Sequence, residues 1–380
     1  MQLLLLNCHK IESITVFWSY FCLFSTDSKL SIIKNGLAFS ISLIILRSVW
    51  IATNRAVQTT KQQKQTKNIY MKNKITCLLA GAALFGATAN AEIVLTDELS
   101  AYGYIDMALT NTDGDNTDVD NGQTGTEVVE YELGFAFTPA ESAYSAVAEL
   151  SYDGSGASFE TVTMTYQHSD ALSFTVGNIL SYQGFETYDA TGLYQFSYAS
   201  SSKLGNGLAG ALNGPAMYSA AYAVGACADY TTGDFDLGVW VGDSNGAEMS
   251  YEYLVAYNGI ENLTLKVILA DDPSYETFNA WASYDYGDFT FAVETVTTDD
   301  LNGNEVLDLT SFMVYYAMGN AGLTVRMTDG DYGADSFEKL TISPSYAFSD
   351  NVFGLIEFSQ EDLGTDDTFD SAAVELIYSF

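Results

Sequence analysis

Basic residues are scarce in this sequence of 380 residues, which has 14 Lys and Arg against 49 Asp and Glu and a formal net charge of −35. With so few basic residues the chain could not neutralise phosphates, so nucleic acid is excluded as a partner. Ten of the 14 basic residues precede residue 92. The remainder carries four basic and 47 acidic residues, a net charge of about −43. This imbalance indicates two unlike polypeptides within one sequence.

Cysteine and histidine are also scarce. After residue 92 only Cys227 and His168 remain, which excludes a disulfide framework or a Cys/His metal cluster there. His168 is followed by Ser169 and Asp170. Barrel hydrolases need a histidine base oriented by a carboxylate, and adjacent residues cannot form a triad merely by being neighbours. We therefore predict that the protein is not an enzyme.

Residues 71–91 have the pattern of a secretory signal peptide. They read MKNKITCLLAGAALFGATANA, with lysines first, then a short apolar stretch and the small residues ANA. We expect cleavage near Ala91. A signal peptide begins near the start of translation, so residues 1–70 are predicted to be mistranslated upstream sequence or disordered. A signal anchor around residues 41–51 is the alternative, and Arg47 interrupts it.

Long apolar runs are absent from residues 92–380, which excludes a bundle of membrane helices. What recurs instead is alternation with a period of two residues. In residues 129–137, VEYELGFAF, every second residue is large and apolar and the residues between are acidic or small. Such alternation predicts β-strands with one apolar face and one wetter face. The mature chain is therefore predicted to be all-β.

Short and long connections alternate along the chain between these predicted strands. Seven short turns are predicted at residues 138–142, 168–171, 231–234, 258–261, 286–288, 319–322 and 349–351. Eight longer loops are predicted at residues 111–127, 153–158, 181–215, 243–248, 271–275, 297–308, 330–335 and 361–368. This pattern predicts a transmembrane antiparallel up-and-down β-barrel of about 16 strands, within a range of roughly 14 to 18, with short periplasmic turns and longer extracellular loops. A soluble β-sandwich or β-helix would show the same alternation, but it would need one thick core for the many large outward residues.

Four stretches carry a resemblance to a known family. They are SAYGYIDMAL in the first predicted strand, residues 174–200 (FTVGNILSYQGFETYDATGLYQFSYAS), residues 337–351 (FEKLTISPSYAFSDN) and the terminal ELIYSF. With them the chain resembles the Gram-negative outer-membrane β-barrel porins of the OmpL-like, porin-2 type. The similarity extends over essentially the whole mature chain.

The resemblance implies a general diffusion porin that passes small hydrophilic solutes or ions across the outer membrane without a cofactor. The implied surroundings are outer-membrane lipid and lipopolysaccharide. Phe380 looks like the aromatic end signal that such barrels present to the barrel-insertion machinery. A homotrimer is left open. The alternative function is a non-conducting surface adhesin or structural barrel, which would have a closed lumen.

The predicted loop at residues 181–215 is the third of eight and the longest, and loops of that length usually have a function. In porins the third loop typically folds inward and narrows the lumen. We therefore expect its charged residues to face charged residues of the lumen wall. The loop residues are Glu186, Asp189 and Lys203; the wall residues are Lys266, Arg326, Lys339, Asp106, Glu130, Glu132, Asp236 and Glu294.

Arg326 illustrates the assignment, because Val325 and Met327 beside it are predicted to face lipid and so place its charge in the lumen. Plain solvation in a wide lumen is the alternative for each single wall charge. The summed charge is a stronger argument, since carboxylates with few compensating cations favour the passage of cations. The sequence thus predicts a cation-preferring pore.

Acidic loops could also hold Ca²⁺. The candidate residues are Asp113, Asp115, Asp118, Asp300, Asn302, Asn304 and Asp308. The second group follows a spacing like that of an EF-hand, but Glu305 replaces the required glycine and Ser311 replaces the bidentate glutamate. Solvated, mutually repelling loops are the alternative interpretation.

Overall fold

The computed structural model describes residues 92–114, 123–152, 156–186, 189–200, 222–243, 248–362, 364 and 368–380. The predicted upstream segment and signal peptide lie outside these residues. Within the described part of the chain, no helix has the length and apolar character needed to cross a bilayer.

Strands make up nearly all of the described structure. A two-residue strand, β1 (Ile93–Val94), comes first. It is followed by β2 (Leu99–Gly114), β3 (Gln123–Phe137), β4 (Tyr144–Tyr152), β5 (Ala157–Ser169), β6 (Leu172–Leu180), β7 (Tyr222–Thr232), β8 (Phe235–Asp243), β9 (Met249–Ile260), β10 (Leu263–Asp271), β11 (Tyr275–Tyr286), β12 (Phe289–Asp300), β13 (Glu305–Met318), β14 (Ala321–Tyr332), β15 (Asp335–Ser349), β16 (Val352–Asp362) and β17 (Thr368–Ser379). A 3₁₀ turn at Ala190–Gly192 lies between β6 and β7, in the part of this connection that the structure describes.

The sheet closes on itself. Each strand from β2 to β17 pairs antiparallel with the next one along the chain, and β17 pairs with β2, with Val374 opposite Leu109. Closure leaves no free edge among the described strands β2 to β17, because each of them has a hydrogen-bonded neighbour on both sides. The predicted all-β, antiparallel up-and-down barrel of 16 strands is confirmed.

The chain ends at the seam of this barrel. The Gly103 N–H donates to the Phe380 carbonyl at 2.8 Å, and the Phe380 N–H donates to the Gly103 carbonyl at 2.9 Å. A Cβ atom on Gly103 would lie 2.1 Å from the backbone oxygen of Glu132. Only glycine therefore allows β2 and β3 to approach this closely beside the chain terminus.

All seven predicted short turns are confirmed and lie at one end of the barrel, which we call the short-turn end. At the other end, the loop end, two connections are much shorter than predicted. Only residues 301–304 separate β12 from β13, and only residues 333–334 separate β14 from β15. The predicted loops at 297–308 and 330–335 are mostly strand, because polar side chains do not prevent ladder pairing: Thr297, for example, pairs with Asp308.

The two faces of the barrel wall differ as the alternation predicted. On β14, Val325 and Met327 are 38% and 42% exposed on the outer face, whereas Arg326 between them is 2% exposed on the inner face. The barrel therefore turns its large apolar side chains outward, which is the arrangement that a lipid environment stabilises.

Aromatic side chains pack in pairs on the outside near the short-turn end. Ring centroids lie 4.5 Å apart for Phe289 and Tyr316, and 5.0 Å apart for Tyr144 and Tyr166. Tyrosine has an apolar ring and a polar hydroxyl, so such a belt suits the boundary between lipid tails and water. Its position agrees with a membrane surface at this end of the barrel.

Candidate functional site

The connection between β6 and β7, residues 181–221, is called the lumen loop here; its described parts are residues 181–186 and 189–200. It begins against Glu252, a buried inner-face residue of β9. The Ser181 hydroxyl donates to Glu252 at 2.6 Å, the Tyr182 N–H at 2.7 Å and the Gln183 side-chain amide at 3.2 Å. One wall carboxylate thus holds three successive residues of the loop.

The next two residues of the lumen loop are held by the neighbouring strands. The Gly184 N–H donates to Asn279 of β11 at 3.0 Å, and the Phe185 N–H donates to Glu294 of β12 at 3.0 Å. Asn279 in turn donates to Glu294 at 2.8 Å. The loop therefore turns inward and follows the inner face, because polar wall side chains satisfy the backbone donors that a strand partner would otherwise take.

Glu186 is the centre of the loop's packing. It is 7% exposed and forms a buried ion pair with Arg326 of β14. Its two carboxylate oxygens also accept hydrogen bonds from the Gln195 side chain at 2.7 Å and from the Ala199 N–H at 2.8 Å. Hydrogen bonds on both oxygens are what a buried carboxylate needs to remain charged. The predicted neighbours Glu186 and Arg326 are thus brought together.

The returning part of the loop covers the same wall. A second Arg326 nitrogen donates to the Tyr198 carbonyl at 2.7 Å and to the Ser197 hydroxyl at 3.2 Å. Lys339 of β15 donates to the Tyr198 carbonyl at 2.9 Å and to the Ser200 carbonyl at 3.2 Å. Lys339 also pairs with Glu361 of β16 at 3.0 Å. Both wall cations are therefore bound beneath the loop.

A group of carboxylates lies on the inner face of β3, β4 and β5. Glu132 of β3 and Glu160 of β5 meet Asp189 of the lumen loop, and one carboxylate oxygen of each lies within 4.8 Å of the others. Glu130 and Glu149 belong to the same surface, which we call the acidic wall. No basic residue occurs between positions 92 and 202 of the sequence, so the acidic wall receives no cation from its own strands.

Hydroxyl groups support the acidic wall. Tyr102 donates to Glu149 at 2.5 Å, and Tyr104 donates to Glu130 at 2.6 Å. Ser151 donates to the second oxygen of Glu130 at 2.8 Å. Hydroxyl donors stabilise carboxylates without cancelling their charge. These hydrogen bonds therefore hold Glu130 and Glu149 in place on the inner face.

Asp189 titrates unusually because of this surrounding. Its pKa is raised to about 8, first by burial and then by the nearby charges of Glu149, Glu130 and Glu160. Both causes disfavour the ionised form. Asp189 is thus mostly protonated at neutral pH and gains its charge only in mildly alkaline solution.

Three of the predicted wall residues have described contacts with the wall itself. Asp106 lies beside Glu375 of β17. Asp236 lies next to a short turn and accepts from Thr231 at 2.7 Å and from an asparagine of β9 at 2.8 Å. Lys266 lies 5.0 Å from the ring centre of a tryptophan on β11. The expectation that each of them faces a charged loop residue has no counterpart among the described contacts, and Lys203 lies outside the described residues.

The candidate Ca²⁺ residues are placed in two ways. Asp115 and Asp118 lie outside the described residues, as does the side chain of Asp113. Asp300 accepts hydrogen bonds from the backbone N–H of Asn302 at 2.8 Å and of Asn304 at 2.9 Å, which shapes a tight β12–β13 turn. Asp308 lies in β13, opposite Asp331. Asp300 therefore serves the turn, and the Ca²⁺ sites stay an untested expectation.

Several residues of the site were missed from the sequence. Glu252 and Glu357 lie between large outward residues as Arg326 does, so the same argument would have placed them in the lumen, whereas Glu361 lies between Gln360 and Asp362 and carried no such signal. Glu357 accepts from the Ser197 N–H at 3.0 Å. Asn279 had no such signal, since an uncharged amide in a strand has many other uses.

Comparisons with known proteins identify the fold. No protein-family model matches the chain, and no curated protein matches it. Among solved structures, an anion-selective porin from Comamonas acidovorans has a TM-score of 0.55 at 14% identity, covering 74% of this chain and 99% of that chain. A loop L8 deletion mutant of OmpT, an outer membrane protein of Vibrio cholerae, has a TM-score of 0.54 at 14% identity, with 74% and 99% covered. At this identity the likeness shows the fold, and the chain accordingly has the 16-stranded barrel fold of the outer-membrane porins.

Proposed function

We propose that this protein is a diffusion channel of the outer membrane that passes small hydrophilic solutes and prefers cations. The observation that carries the proposal is the acidic wall, whose Glu132 and Glu160 meet Asp189 of the lumen loop. The apolar outer face, the aromatic belt and the barrel fold support a place in the outer membrane. The lumen loop supports a constriction, because it lies inside the barrel against the inner face.

The charge on the lumen surface supports the preference for cations. A unit charge about 6 Å from a passing ion contributes roughly 0.7 kcal/mol in water, with opposite sign for cations and anions. Each uncompensated carboxylate of the acidic wall is therefore worth about a threefold change in the local population of either ion. The Comamonas porin is anion-selective by its name. We infer that the shared fold leaves the sign of the selectivity open and that the lining charges set it.

One observation favours the second candidate, a non-conducting barrel. Asp189 reaches the carboxylates of β3 and β5, while the start of the loop is bound to β9, β11 and β12. The loop therefore extends from one side of the inner face to another. A closed lumen in an adhesin or structural barrel would need such a crossing.

Planar-bilayer recording of the refolded residues 92–380 separates the two candidates. A channel gives stepwise conductance, and a tenfold KCl gradient then gives a reversal potential of the sign that cation passage requires. Stepwise current with anion preference would contradict the cation preference alone. A correctly folded barrel that gives no steps would contradict the channel and favour the closed barrel.

A further inference from the structure

Two of the basic residues that face the lumen are hidden from it. Arg326 and Lys339 lie on the inner face of neighbouring strands, where a water-filled lumen would leave them solvated, yet they are only 2% and 3% exposed. Four basic residues follow position 92 in the whole sequence. The accessibility of these two therefore has a large effect on the balance of charge that a passing ion meets.

The lumen loop supplies the cover. It provides each cation with a binding site lined by oxygen atoms, which we call a seat. Glu186, Ser197 and the Tyr198 carbonyl surround Arg326, and the Tyr198 and Ser200 carbonyls accept hydrogen bonds from Lys339. The Tyr198 carbonyl accepts from both cations. The two seats are thus parts of one loop conformation, and losing one is expected to disturb the other.

Wall carboxylates complete the neutralisation. Glu361 pairs with Lys339 at 3.0 Å, and Glu357 accepts the Ser197 N–H at 3.0 Å beside the same seats. Arg326 receives its carboxylate from the loop and not from the wall, since Glu186 is its ion-pair partner. Glu186 is therefore the loop residue on which the neutralisation of Arg326 depends.

We propose that the lumen loop masks Arg326 and Lys339 and that Glu186 is a positioning residue which sets ion selectivity by keeping Arg326 paired beneath the loop. This inference rests on the proposed function, because selectivity requires a conducting pore. With the mask in place, ions meet the acidic wall opposed by little positive charge. Without it, the guanidinium group turns to water in the lumen and opposes cation passage.

The physical reason is the cost of an unpaired buried charge. Neutralising Glu186 leaves the guanidinium without its carboxylate in a site with little water, which is strongly unfavourable. The response with the lowest free-energy cost is for Arg326 to become solvated in the lumen. One newly exposed positive charge then lowers the ratio of cation to anion passage by about tenfold, because on the Coulomb scale used for the acidic wall it disfavours the cation and favours the anion about threefold each.

A double-mutant cycle on Glu186 and Arg326 tests the proposal, with the ratio of K⁺ to Cl⁻ permeability as the readout. Glu186→Gln is expected to lower the ratio about tenfold in the wild-type background. In the Arg326→Met background it is expected to change the ratio little, because no guanidinium is left to release. Glu186→Asp keeps the charge and should keep most of the selectivity.

Glu149→Gln is the matched control, since it removes a carboxylate of the acidic wall and is expected to act equally in both backgrounds. An equal effect of Glu186→Gln in both backgrounds would overturn the proposal, because Glu186 would then act only as another lining charge. Loss of all conductance in the wild-type barrel would instead count against the channel itself.

A labelling experiment needs no conductance and no change at Glu186. In a Cys227→Ser background, the buried Thr341 of β15, whose hydroxyl accepts from Arg326 at 3.2 Å, is replaced by cysteine. Thr341→Cys is treated with a charged thiol reagent from solution and compared with Glu130→Cys on the acidic wall. The mask predicts labelling at least tenfold slower at position 341. Equal rates at the two positions would overturn the proposal even if the Glu186 variants fail to fold.

Discussion

The titration of Asp189 gives a selectivity that depends on pH. Its pKa is raised to about 8, first by burial and then by Glu149, Glu130 and Glu160. A carboxyl with this pKa is roughly one-tenth ionised at pH 7 and roughly nine-tenths ionised at pH 9. Raising the pH across this interval therefore adds almost one negative charge to the lumen loop beside the acidic wall.

The size of the effect follows from the distance to a passing ion. One negative charge at about 6 Å favours K⁺ by roughly 0.7 kcal/mol in water and disfavours Cl⁻ by the same amount, which together is about a tenfold rise in the ratio of K⁺ to Cl⁻ permeability. The sign is fixed, because ionisation of a carboxyl only adds negative charge. Reversal potentials of the wild-type barrel, measured in a KCl gradient from pH 6 to pH 10, should show this rise with a midpoint near pH 8.

Asp189→Asn is the variant that isolates the effect. It keeps the size of the side chain but cannot ionise, so the rise near pH 8 should disappear while selectivity at pH 6 stays close to that of the wild type. A rise of unchanged size in Asp189→Asn would refute the assignment to this carboxyl. A flat wild-type profile between pH 7 and pH 9 would refute the raised pKa as well.

Three further substitutions test the barrel and the loop. Glu294→Ala removes the acceptor of the Phe185 N–H. Because a buried donor left unpaired costs about 1–3 kcal/mol, the lumen loop should become more mobile and the noise of the single-channel current should rise. Unchanged noise would contradict the role of Glu294 in holding the loop. Gly103→Ala places a methyl group 2.1 Å from a backbone oxygen of β3, whereas the methyl group of Gly156→Ala meets nothing within 4 Å. Only Gly103→Ala should therefore reduce the folded fraction, which is measured by heat-modifiable mobility on a gel. Val325→Lys puts a charge on the lipid face, which lowers the free energy of unfolding by about 2–4 kcal/mol at mid-bilayer. Urea unfolding from lipid vesicles should detect this loss relative to Val325→Ala. Equal stability of the two variants would place this face outside the bilayer.

The architecture was predictable because it depends on local patterns. Alternation of side chains with a period of two fixes which face each strand residue occupies, so it correctly sent Arg326 inward between Val325 and Met327. The turn residues between the alternating segments predicted the number of strands correctly. The same reasoning assigned polar residues 297–308 to a loop and was wrong there, since ladder pairing continues through Thr and Asp beyond the apolar band.

The path of the lumen loop was not predictable in the same way. No periodic pattern relates Glu186 to Arg326, which are 140 positions apart in the chain, and their contact depends on an irregular backbone held by Glu252, Asn279 and Glu294. Sequence reasoning therefore named Arg326 and Lys339 as lining charges. It had no means of showing that the loop covers them and leaves the acidic wall without a facing pair of cations.

The central claim is that the barrel conducts and that its lining prefers cations. Reversal potential of the refolded wild-type residues 92–380 in a tenfold KCl gradient at pH 7 tests this most directly. The account predicts stepwise conductance and a reversal potential on the cation side. A folded barrel with stepwise conductance and a reversal potential on the anion side would contradict it.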